Sequence, residues 1–482
     1  MSKHSFLMLA ALSALGCGSR PLTDGDFGLL PVDVLPAKQV EPVEKPLPTV
    51  WGSPALEDIN PDPHIVEVNL RSVPTTLNID DNRSVRGMYT FNGLYPGPML
   101  KARKGDKIIV HFKNDLPEPT TIHWHGLRIP DAMDGNPRIQ SPIPAGGSFD
   151  YEFIAPDSGS FWYHPHVRAG EQVEKGLYAP IVIEDADGVD PTFDLERSVM
   201  VDDMLLSGGD FEAFGGAMEA MMGGRLGNVL ITNGRVNGRG LDAKAKRGQV
   251  ERWRIVNPSN ARTMELSLDG ARFFVLGTDG GWLAQPFAGG KLTVAVGQRY
   301  DLMVVYDNEG PVKLLSHVDT VDNNNNVVNV AIPVLTVDVG PGDAPVIPVI
   351  APRPELNRPS IKTAEIVIDA INDPQMGFMW RLNGKSHDEG GPLFTFDQGD
   401  TVKITISNLE GVEHPFHLHG QFFTIRDLKE PGLKDVILIP PQGSREIVAY
   451  FDNPGRWMAH CHILEHAEYG MMSTVVVNPK QQ

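Results

Sequence analysis

Histidine clusters are the feature of this sequence that could do chemistry. Ten of its 15 histidines fall in four short motifs, and the last motif also holds one of only two cysteines. Imidazole and thiolate are the side chains that bind copper, zinc and iron, so this crowding predicts metal sites. The motifs are HWHG at 123–126, HPH at 164–166, HPFHLHG at 414–420 and HCHILEH at 460–466.

The last motif has the spacing to serve two different metal sites. In a strand, side chains two apart share a face, and the one between them points to the opposite face. His460 and His462 would therefore lie on one side of a strand and Cys461 on the other. One short peptide can thus bind metal on both of its faces.

On the Cys461 side, the sequence offers a soft ligand set. His466 lies one helical turn beyond His462, and Met471 follows shortly after. A thiolate, two imidazoles and a weak axial thioether are the ligands of an electron-transfer copper, whereas zinc needs no thioether. We therefore predict a copper site formed by Cys461, His466, Met471 and a second imidazole from His414.

On the opposite side, four histidine pairs supply eight imidazoles. Eight ligands are too many for one ion and suit three copper ions with two or three ligands each. Several redox metals held together can pass four electrons to O2 quickly, which avoids the release of peroxide or superoxide. The pairs are His123 and His125, His164 and His166, His417 and His419, and His460 and His462.

Short alternating segments must position these ligands. The stretches 64–70, 107–112, 148–153 and 401–406 alternate apolar and polar residues, which indicates half-buried strands. The 49 Gly and 40 Pro favour many turns. We therefore predict an all-β fold of sandwich or barrel domains. The phrase GDKIIVHFKN at 105–114 is similar to GDTVKITISN at 399–408, so the first and last domains look like copies.

The length of 482 residues predicts about three domains. We place them at 57–190, 191–350 and 351–482. Residues 18–56 are rich in proline without periodicity and predict an extended arm or tether. Residues 1–17 predict an export signal, because Lys3 precedes an apolar run that ends at Cys17. We expect export to the periplasm or cell envelope, with lipid anchoring at Cys17 as an open alternative.

Composition excludes several classes of protein. With 41% hydrophobic residues, the chain can bury ordinary globular cores. Two cysteines cannot supply a disulfide framework for a chain of this size. The net charge of −19 argues against a nucleic-acid partner, because such a partner needs clustered Lys and Arg. We expect a monomer.

The four motifs, in this order, resemble the copper signatures of the multicopper oxidases, a family of laccases, bilirubin oxidases and bacterial cuprous oxidases. The resemblance spans roughly residues 57–479 and includes the phrases TDGG at 278–281 and GQRYD at 297–301. It implies three cupredoxin-like β-sandwich domains and four copper ions. The middle domain, with His317 as its only histidine, would be a spacer without copper.

The resemblance also assigns a copper to each ligand. Cys461, His414, His466 and Met471 would hold the type 1 copper. His123 and His417 would hold the type 2 copper. The two type 3 coppers would be held by His125, His164 and His462, and by His166, His419 and His460.

The implied reaction is a four-electron reduction of O2 to water. A reductant would deliver electrons singly through the edge of His466 to the type 1 copper. Asp134 matches an acidic residue that relays protons in relatives, although an Asp before Gly is also a common turn residue. Relatives often carry a second acidic residue directly after the last histidine. Ala467 stands there in this chain, so Glu465 and Glu468 are the available substitutes.

The motifs leave the identity of the reductant open. Phenols or aromatic amines are expected for a laccase-like enzyme. Cuprous or another metal ion is the alternative, since relatives specialised for cuprous ion carry a Met-rich insertion. Met218, Met221 and Met222 have the spacing of a packed helical face, which is the more typical reading. A non-catalytic copper-binding envelope protein is a third alternative, but it would not need eight further histidines.

Overall fold

A computed structural model describes residues 50–185, 190–321, 326–353, 356, 358–360, 362–373, 377–387, 390–426 and 431–480. The predicted export signal, Cys17 and the arm as far as residue 49 lie outside the described residues. No helix in the described part of the chain is long and apolar enough to cross a membrane.

The first domain consists of two sheets around one core. One sheet has the strand order β3-β2-β5-β7 and the other β4-β9-β8-β6. Strand β1 (Val50–Trp51) precedes this domain in the chain. The strands of the domain are β2 (Ile65–Asn78), β3 (Ser84–Phe91), β4 (Leu100–Arg103), β5 (Lys107–Asn114), β6 (His123–His125), β7 (Ser148–Ile154), β8 (Gly159–His164) and β9 (Ala179–Glu184), with a 3-10 turn at Asp131–Met133 and helix α1 (Ala169–Glu174).

The second domain has the same two-sheet plan. Its larger sheet runs β14-β13-β10-β16-β21-β18-β19, with β1 added beside β10, and its smaller sheet runs β15-β23-β22-β17-β20. Its elements are β10 (Leu195–Met204), β11 (Leu206–Ser207), β12 (Asp210–Phe211), α2 (Ala217–Met221), β13 (Val229–Thr232), β14 (Arg235–Val236), β15 (Lys244–Lys246), β16 (Val250–Val256), β17 (Met264–Asp269), β18 (Arg272–Thr278), β19 (Gly281–Ala288), β20 (Lys291–Val294), β21 (Arg299–Val305), β22 (Gly310–Val321) and β23 (Val327–Gly340).

The third domain again pairs two sheets, in the orders β25-β24-β27-β31-β29 and β26-β33-β32-β28-β30. Its elements are β24 (Lys362–Asp373), β25 (Gly377–Leu382), β26 (Phe394–Asp397), β27 (Asp400–Asn408), β28 (His414–Leu418), β29 (Phe422–Ile425), β30 (Val436–Ile439), β31 (Ser444–Phe451), β32 (Gly455–Cys461), α3 (Leu464–Glu468) and β33 (Met472–Asn478).

The alternation in the sequence explains these strands. In β5, Ile108, Val110 and Phe112 face the core while their neighbours lie half-exposed. The predicted all-β fold is confirmed, as are the four predicted strands, which appear as β2, β5, β7 and β27. The internal repeat is also real. β5 pairs in parallel with β2 and antiparallel with β7, and β27 pairs in the same way with β24 and β31.

Candidate metal centres

Paired antiparallel strands, one pair in the first domain and one in the third, present histidines of the four motifs. In the first domain β6 and β8 run antiparallel, and His123 lies opposite His164. In the third domain β28 and β32 run antiparallel, and His417 lies opposite His460. These registers place each pair of motifs side by side.

The two sets of histidines meet between the first and third domains. The rings of His123 and His419 stack with centroids 3.9 Å apart. His125 Nδ1 lies 3.3 Å from His462 Nε2. All eight histidines therefore form one cluster, which we call the histidine cluster. Seven of its members are buried, and only His166 is partly exposed.

Within the histidine cluster, ligand atoms converge in groups of three. In each group the ligand atoms lie within 4.8 Å of one another. Four of these groups are His125, His164 and His462; His166, His419 and His460; His123, His417 and His419; and His123, His164 and His166.

The donor atoms of the cluster fit metal ions. The buried Nε2 atoms of His123, His164, His166 and His417 have no hydrogen-bond partner among the described residues. Burying unpaired polar atoms costs free energy unless a ligand satisfies them. His419 Nε2 and His460 Nε2 are 3.0 Å apart, a spacing that suits two nitrogens bound to one ion at about 2 Å each.

Outer contacts turn the remaining ring nitrogens away from the cluster centre. Such contacts fix the tautomer and orientation of a ligand histidine. His123 Nδ1 contacts the Asp134 carbonyl oxygen at 2.9 Å, and His419 Nδ1 contacts Asp134 Oδ2 at 2.8 Å. The Nδ1 atoms of His164, His417 and His460 contact the carbonyl oxygens of Pro165, Asp435 and Cys461 at 3.0, 2.8 and 2.8 Å.

Burial keeps these imidazoles neutral, which is the state that binds metal. Burial first, and neighbouring histidines second, hold the pKa values of His125, His164 and His417 well below the usual value. Burial likewise lowers the pKa of His460 to about 4. The cluster is therefore ready to bind cations at neutral pH.

A second ligand set lies on the other face of β32. His414 Nδ1 and His466 Nδ1 are 3.1 Å apart, and Cys461 Sγ lies 3.6 and 3.7 Å from them. All three residues are buried, and burial raises the pKa of the Cys461 thiol. Met471 is also buried, and its carbonyl oxygen accepts a hydrogen bond from the Cys461 N–H at 3.1 Å. We call this set the Cys461 centre.

A segment of the second domain covers the Cys461 centre. His466 has no exposed edge, and its Nε2 donates to the Met222 carbonyl oxygen at 2.8 Å. Trp380, whose ring lies 4.6 Å from that of His466, donates from Nε1 to the Ala220 carbonyl oxygen at 2.7 Å. The edge of His466, where electrons are expected to enter, is therefore covered by residues 220–222 and hydrogen-bonded to Met222.

The prediction that the three methionines form a packed helical face is wrong. Met218 is 55% exposed, and Met221 and Met222 are each 38% exposed. Main-chain carbonyl groups of Ala220 and Met222 make the contacts to the third domain. The thioether side chains remain accessible, on the segment whose main chain covers the Cys461 centre.

The acidic residues divide into two kinds. Asp134 is buried inside the cluster region, where burial raises its pKa. Glu465 instead accepts hydrogen bonds from the Arg225 N–H at 3.1 Å and Asn260 Nδ2 at 2.8 Å. Glu468 accepts from the Gly170 N–H at 2.9 Å. In the described part of the chain, neither glutamate makes a hydrogen bond to the histidine cluster.

Sequence reasoning missed Asp435. This buried carboxylate lies just before β30, and its Oδ1 is 3.2 Å from His125 Nε2. Burial raises the pKa of Asp435 to about 6, although Arg299 opposes that rise. No sequence spacing connects Asp435 to His125, because they belong to different domains. The phrase GQRYD, which contains its partner Arg299, was the only available signal.

A β-sandwich fold with thiolate and imidazole donors placed in this way defines a copper-binding redox protein. Comparison with known proteins agrees. Multicopper oxidase profiles match residues 74–188, 211–333 and 359–481. The chain belongs to the multicopper oxidase family, and it is accordingly an oxidoreductase with copper cofactors.

Individual relatives match over most of their length. The multicopper oxidase MmcO of Mycobacterium tuberculosis is 29% identical, over 83% of this chain and 84% of that protein. A solved multicopper oxidase of Pseudomonas thermotolerans is 28% identical with a TM-score of 0.75, over 86% of this chain and 99% of that one. A multicopper oxidase of Campylobacter jejuni, described as a metallo-oxidase, is 25% identical with a TM-score of 0.75, over 92% and 98%.

Proposed function

We propose that this oxidase accepts single electrons at the Cys461 centre and reduces O2 to water at the histidine cluster. One observation carries the proposal. Cys461 contributes to one ligand set, while its chain neighbours His460 and His462 contribute to the other. The two centres are therefore joined by only a few covalent bonds.

Four copper ions are the complement that these ligands would hold. Copper bound here supplies reversible one-electron chemistry at the Cys461 centre and the electrons for O2 at the cluster. Cys461, His414, His466 and Met471 would bind the type 1 ion, and His123 and His417 the type 2 ion. His125, His164 and His462 would bind one type 3 ion, and His166, His419 and His460 the other.

The chain supplies two routes between the centres. The first is the peptide itself, from Cys461 to His460 and His462. The second is a hydrogen bond, because His460 Nδ1 donates to the Cys461 carbonyl oxygen at 2.8 Å. Both routes are buried and held by the antiparallel pairing of β32 with β28. Their geometry therefore does not depend on a mobile loop.

Asp134 is the residue we assign to proton delivery. Its Oδ2 accepts from His419 Nδ1 at 2.8 Å, so the carboxyl lies next to the cluster, and a proton that it carries would sit on the other oxygen, Oδ1. Burial raises its pKa, which favours the protonated form that can donate. Glu465 and Glu468, the other proposed relay residues, would have to act from a distance or after a rearrangement.

Oxygen uptake tests the proposed function. Copper-loaded protein should consume one O2 for every four molecules of a one-electron phenol such as dimethoxyphenol, without releasing peroxide. Copper bound by a thiolate and two imidazoles is blue. The Cys461→Ser variant should lose this blue colour and the oxygen uptake, because the electron-accepting centre is gone. A fully loaded protein that consumes no O2 with either a phenol or Cu(I) would instead be a copper-binding envelope protein.

Cuprous ion is a second candidate reductant, and the exposed methionines favour it. Thioethers are soft ligands that suit Cu(I), and Met218, Met221 and Met222 expose three of them on the segment whose main chain contacts His466. Phenols, the expectation from sequence, would have to dock on the same segment. Replacing all three methionines by Leu removes the sulfur ligands but keeps apolar side chains of similar size on this segment. Cu(I) oxidation should therefore fall, while phenol oxidation, which needs no thioether, should stay at the wild-type rate. A triple variant that oxidises Cu(I) at the wild-type rate would remove cuprous ion as a candidate.

A further inference from the structure

The second domain carries two phrases that the proposed function does not use, Thr278–Gly281 and Gly297–Asp301. Both lie against the third-domain segment Leu433–Val436, which contains Asp435. Thr278 Oγ1 and the Gly280 N–H donate to the Leu433 carbonyl oxygen at 2.9 and 2.8 Å, and Gln298 Nε2 donates to the Val436 carbonyl oxygen at 3.1 Å. The domain without copper ligands thus holds this segment in place.

Arg299 is the central residue of these contacts. It is fully buried, and all five of its N–H donors are used. Nη1 and Nη2 each donate to one carboxylate oxygen of Asp435 at 2.6 Å. The remaining donors bind the carbonyl oxygens of Ser160, Gly297 and Asp279 at 3.1, 3.1 and 2.8 Å. The guanidinium plane therefore has one orientation, which fixes the carboxylate of Asp435.

Asp435 passes this constraint to the histidine cluster. Its Oδ1 lies 3.2 Å from His125 Nε2, and its carbonyl oxygen lies 2.8 Å from His417 Nδ1. A carboxylate held by Arg can only accept at that position, so His125 carries its proton on Nε2. His125 Nδ1 is then left as the atom that faces His462 Nε2 at 3.3 Å.

The second domain also touches the cluster directly. A Cβ on Gly297 would lie 3.0 Å from His462 Cδ2 and 3.1 Å from His125 Cε1. The backbone of Gly297 has φ of +86°, a conformation that favours glycine. The same short phrase thus supplies both the close packing surface and Arg299.

We propose that Arg299 is a positioning residue for the histidine cluster, and that the second domain is part of the metal centre and not a spacer. Arg299 holds Asp435, and Asp435 holds His125 in the tautomer that directs Nδ1 to copper. This inference rests on the proposed function only in requiring copper at the cluster. It assigns to a domain without copper ligands the orientation of a ligand from the first domain.

The test compares Arg299→Gln with a matched control, Arg197→Gln. Arg197 is also buried in the second domain and binds both carboxylate oxygens of Glu251, at 2.6 and 2.8 Å. Copper per chain, the blue absorption of the Cys461 centre and the paramagnetic resonance spectrum of the cluster copper are measured for each. We expect Arg299→Gln to keep the blue colour and to lose about 10- to 100-fold in copper affinity at the cluster. The Arg197→Gln cluster should match wild type.

Arg299→Lys separates position from charge. Lys keeps the positive charge but cannot bind both carboxylate oxygens at once. We expect a cluster spectrum altered in the same direction as in Arg299→Gln. A wild-type spectrum and affinity in Arg299→Lys, or equal losses in Arg299→Gln and Arg197→Gln, would overturn the proposal.

Asp435→Asn covers the case in which Arg299 variants fail to fold. Its side chain has the same shape, and it should show the same selective change in the cluster spectrum. Normal cluster spectra in a folded Asp435→Asn protein would also overturn the proposal. Failure of the proposed function is separate, because it would appear as wild-type protein that is loaded with copper at the cluster but consumes no O2 with a phenol or with Cu(I).

Discussion

His125 of the first domain and His417 of the third domain stack with ring centroids 3.9 Å apart and planes inclined by only 10°. Neither domain can form the histidine cluster alone. Metal bound there would therefore join two domains that are far apart in sequence, in a chain whose one described cysteine, Cys461, is free of disulfide bonds.

Copper removal should lower the stability of the folded chain. A ligand that binds only the native state stabilises it by about 2.7 kcal/mol when its concentration is 100 times Kd. We expect the copper-free protein to unfold at a temperature several degrees lower, measured by calorimetry. Re-adding copper should restore the higher temperature. A copper-free protein as stable as the loaded form would contradict copper bridging between domains.

Asp134→Asn should slow oxygen reduction and keep the blue colour of the Cys461 centre. The amide cannot supply the proton that we assign to Asp134, and loss of a general acid typically reduces rate by about 100-fold or more. Single-turnover reoxidation of the reduced enzyme by O2 measures this step. The control is Asp131→Asn. Asp131 accepts a hydrogen bond of 2.9 Å from the Arg456 N–H and, within the described residues, makes none to the cluster histidines. Unchanged reoxidation in Asp134→Asn would remove its relay role.

Met471→Leu should raise the reduction potential of the Cys461 centre. A thioether stabilises oxidised copper, and its loss favours the reduced state. Redox titration of the blue absorption measures the change. Met458→Leu serves as control, because Met458 is buried in β32 without belonging to either ligand set. A lower or unchanged potential in Met471→Leu would count against axial ligation.

The pH dependence of stability should contain a contribution from Asp202. Tyr178 donates to Asp202 Oδ2 at 2.6 Å, and burial, with a smaller effect of Asp203, raises the pKa of Asp202 to about 7. A carboxyl whose pKa is higher in the folded state than in the unfolded chain contributes its full stabilisation of the fold only below its unfolded pKa, about 4. That contribution is lost as pH rises from about 4 to 7, because the unfolded chain releases this proton while the buried carboxyl of the folded state still holds it.

Asp202→Asn should therefore flatten the stability curve between pH 4 and 7. Relative to wild type, the variant should gain stability as pH rises, by at most about 4 kcal/mol for a shift of three pKa units. Denaturant unfolding of copper-free proteins at several pH values measures this difference. A constant difference between the two proteins across this range would show that Asp202 does not titrate as described.

Local patterns explain why much of this molecule was predictable. Alternation of apolar and polar residues predicted β2, β5, β7 and β27, because a strand facing a core must alternate. The same period of two predicted that Cys461 and its neighbours would face opposite ways. Side-chain chemistry then predicted copper, since thiolate with imidazole and thioether is a soft ligand set.

Tertiary structure decided what local patterns cannot carry. The docking of the first domain on the third determines which histidines share a site, because ring distances depend on the packing of whole sheets. The packing of the second domain on the third buries His466 under residues 220–222 and leaves Met218 exposed, against the expectation from helical spacing. Arg299, Asp435 and His125 come from three domains, so only their packing creates the contact. The sequence by itself determined the ligands and their faces, and the arrangement of the domains determined how those ligands are grouped, held and reached.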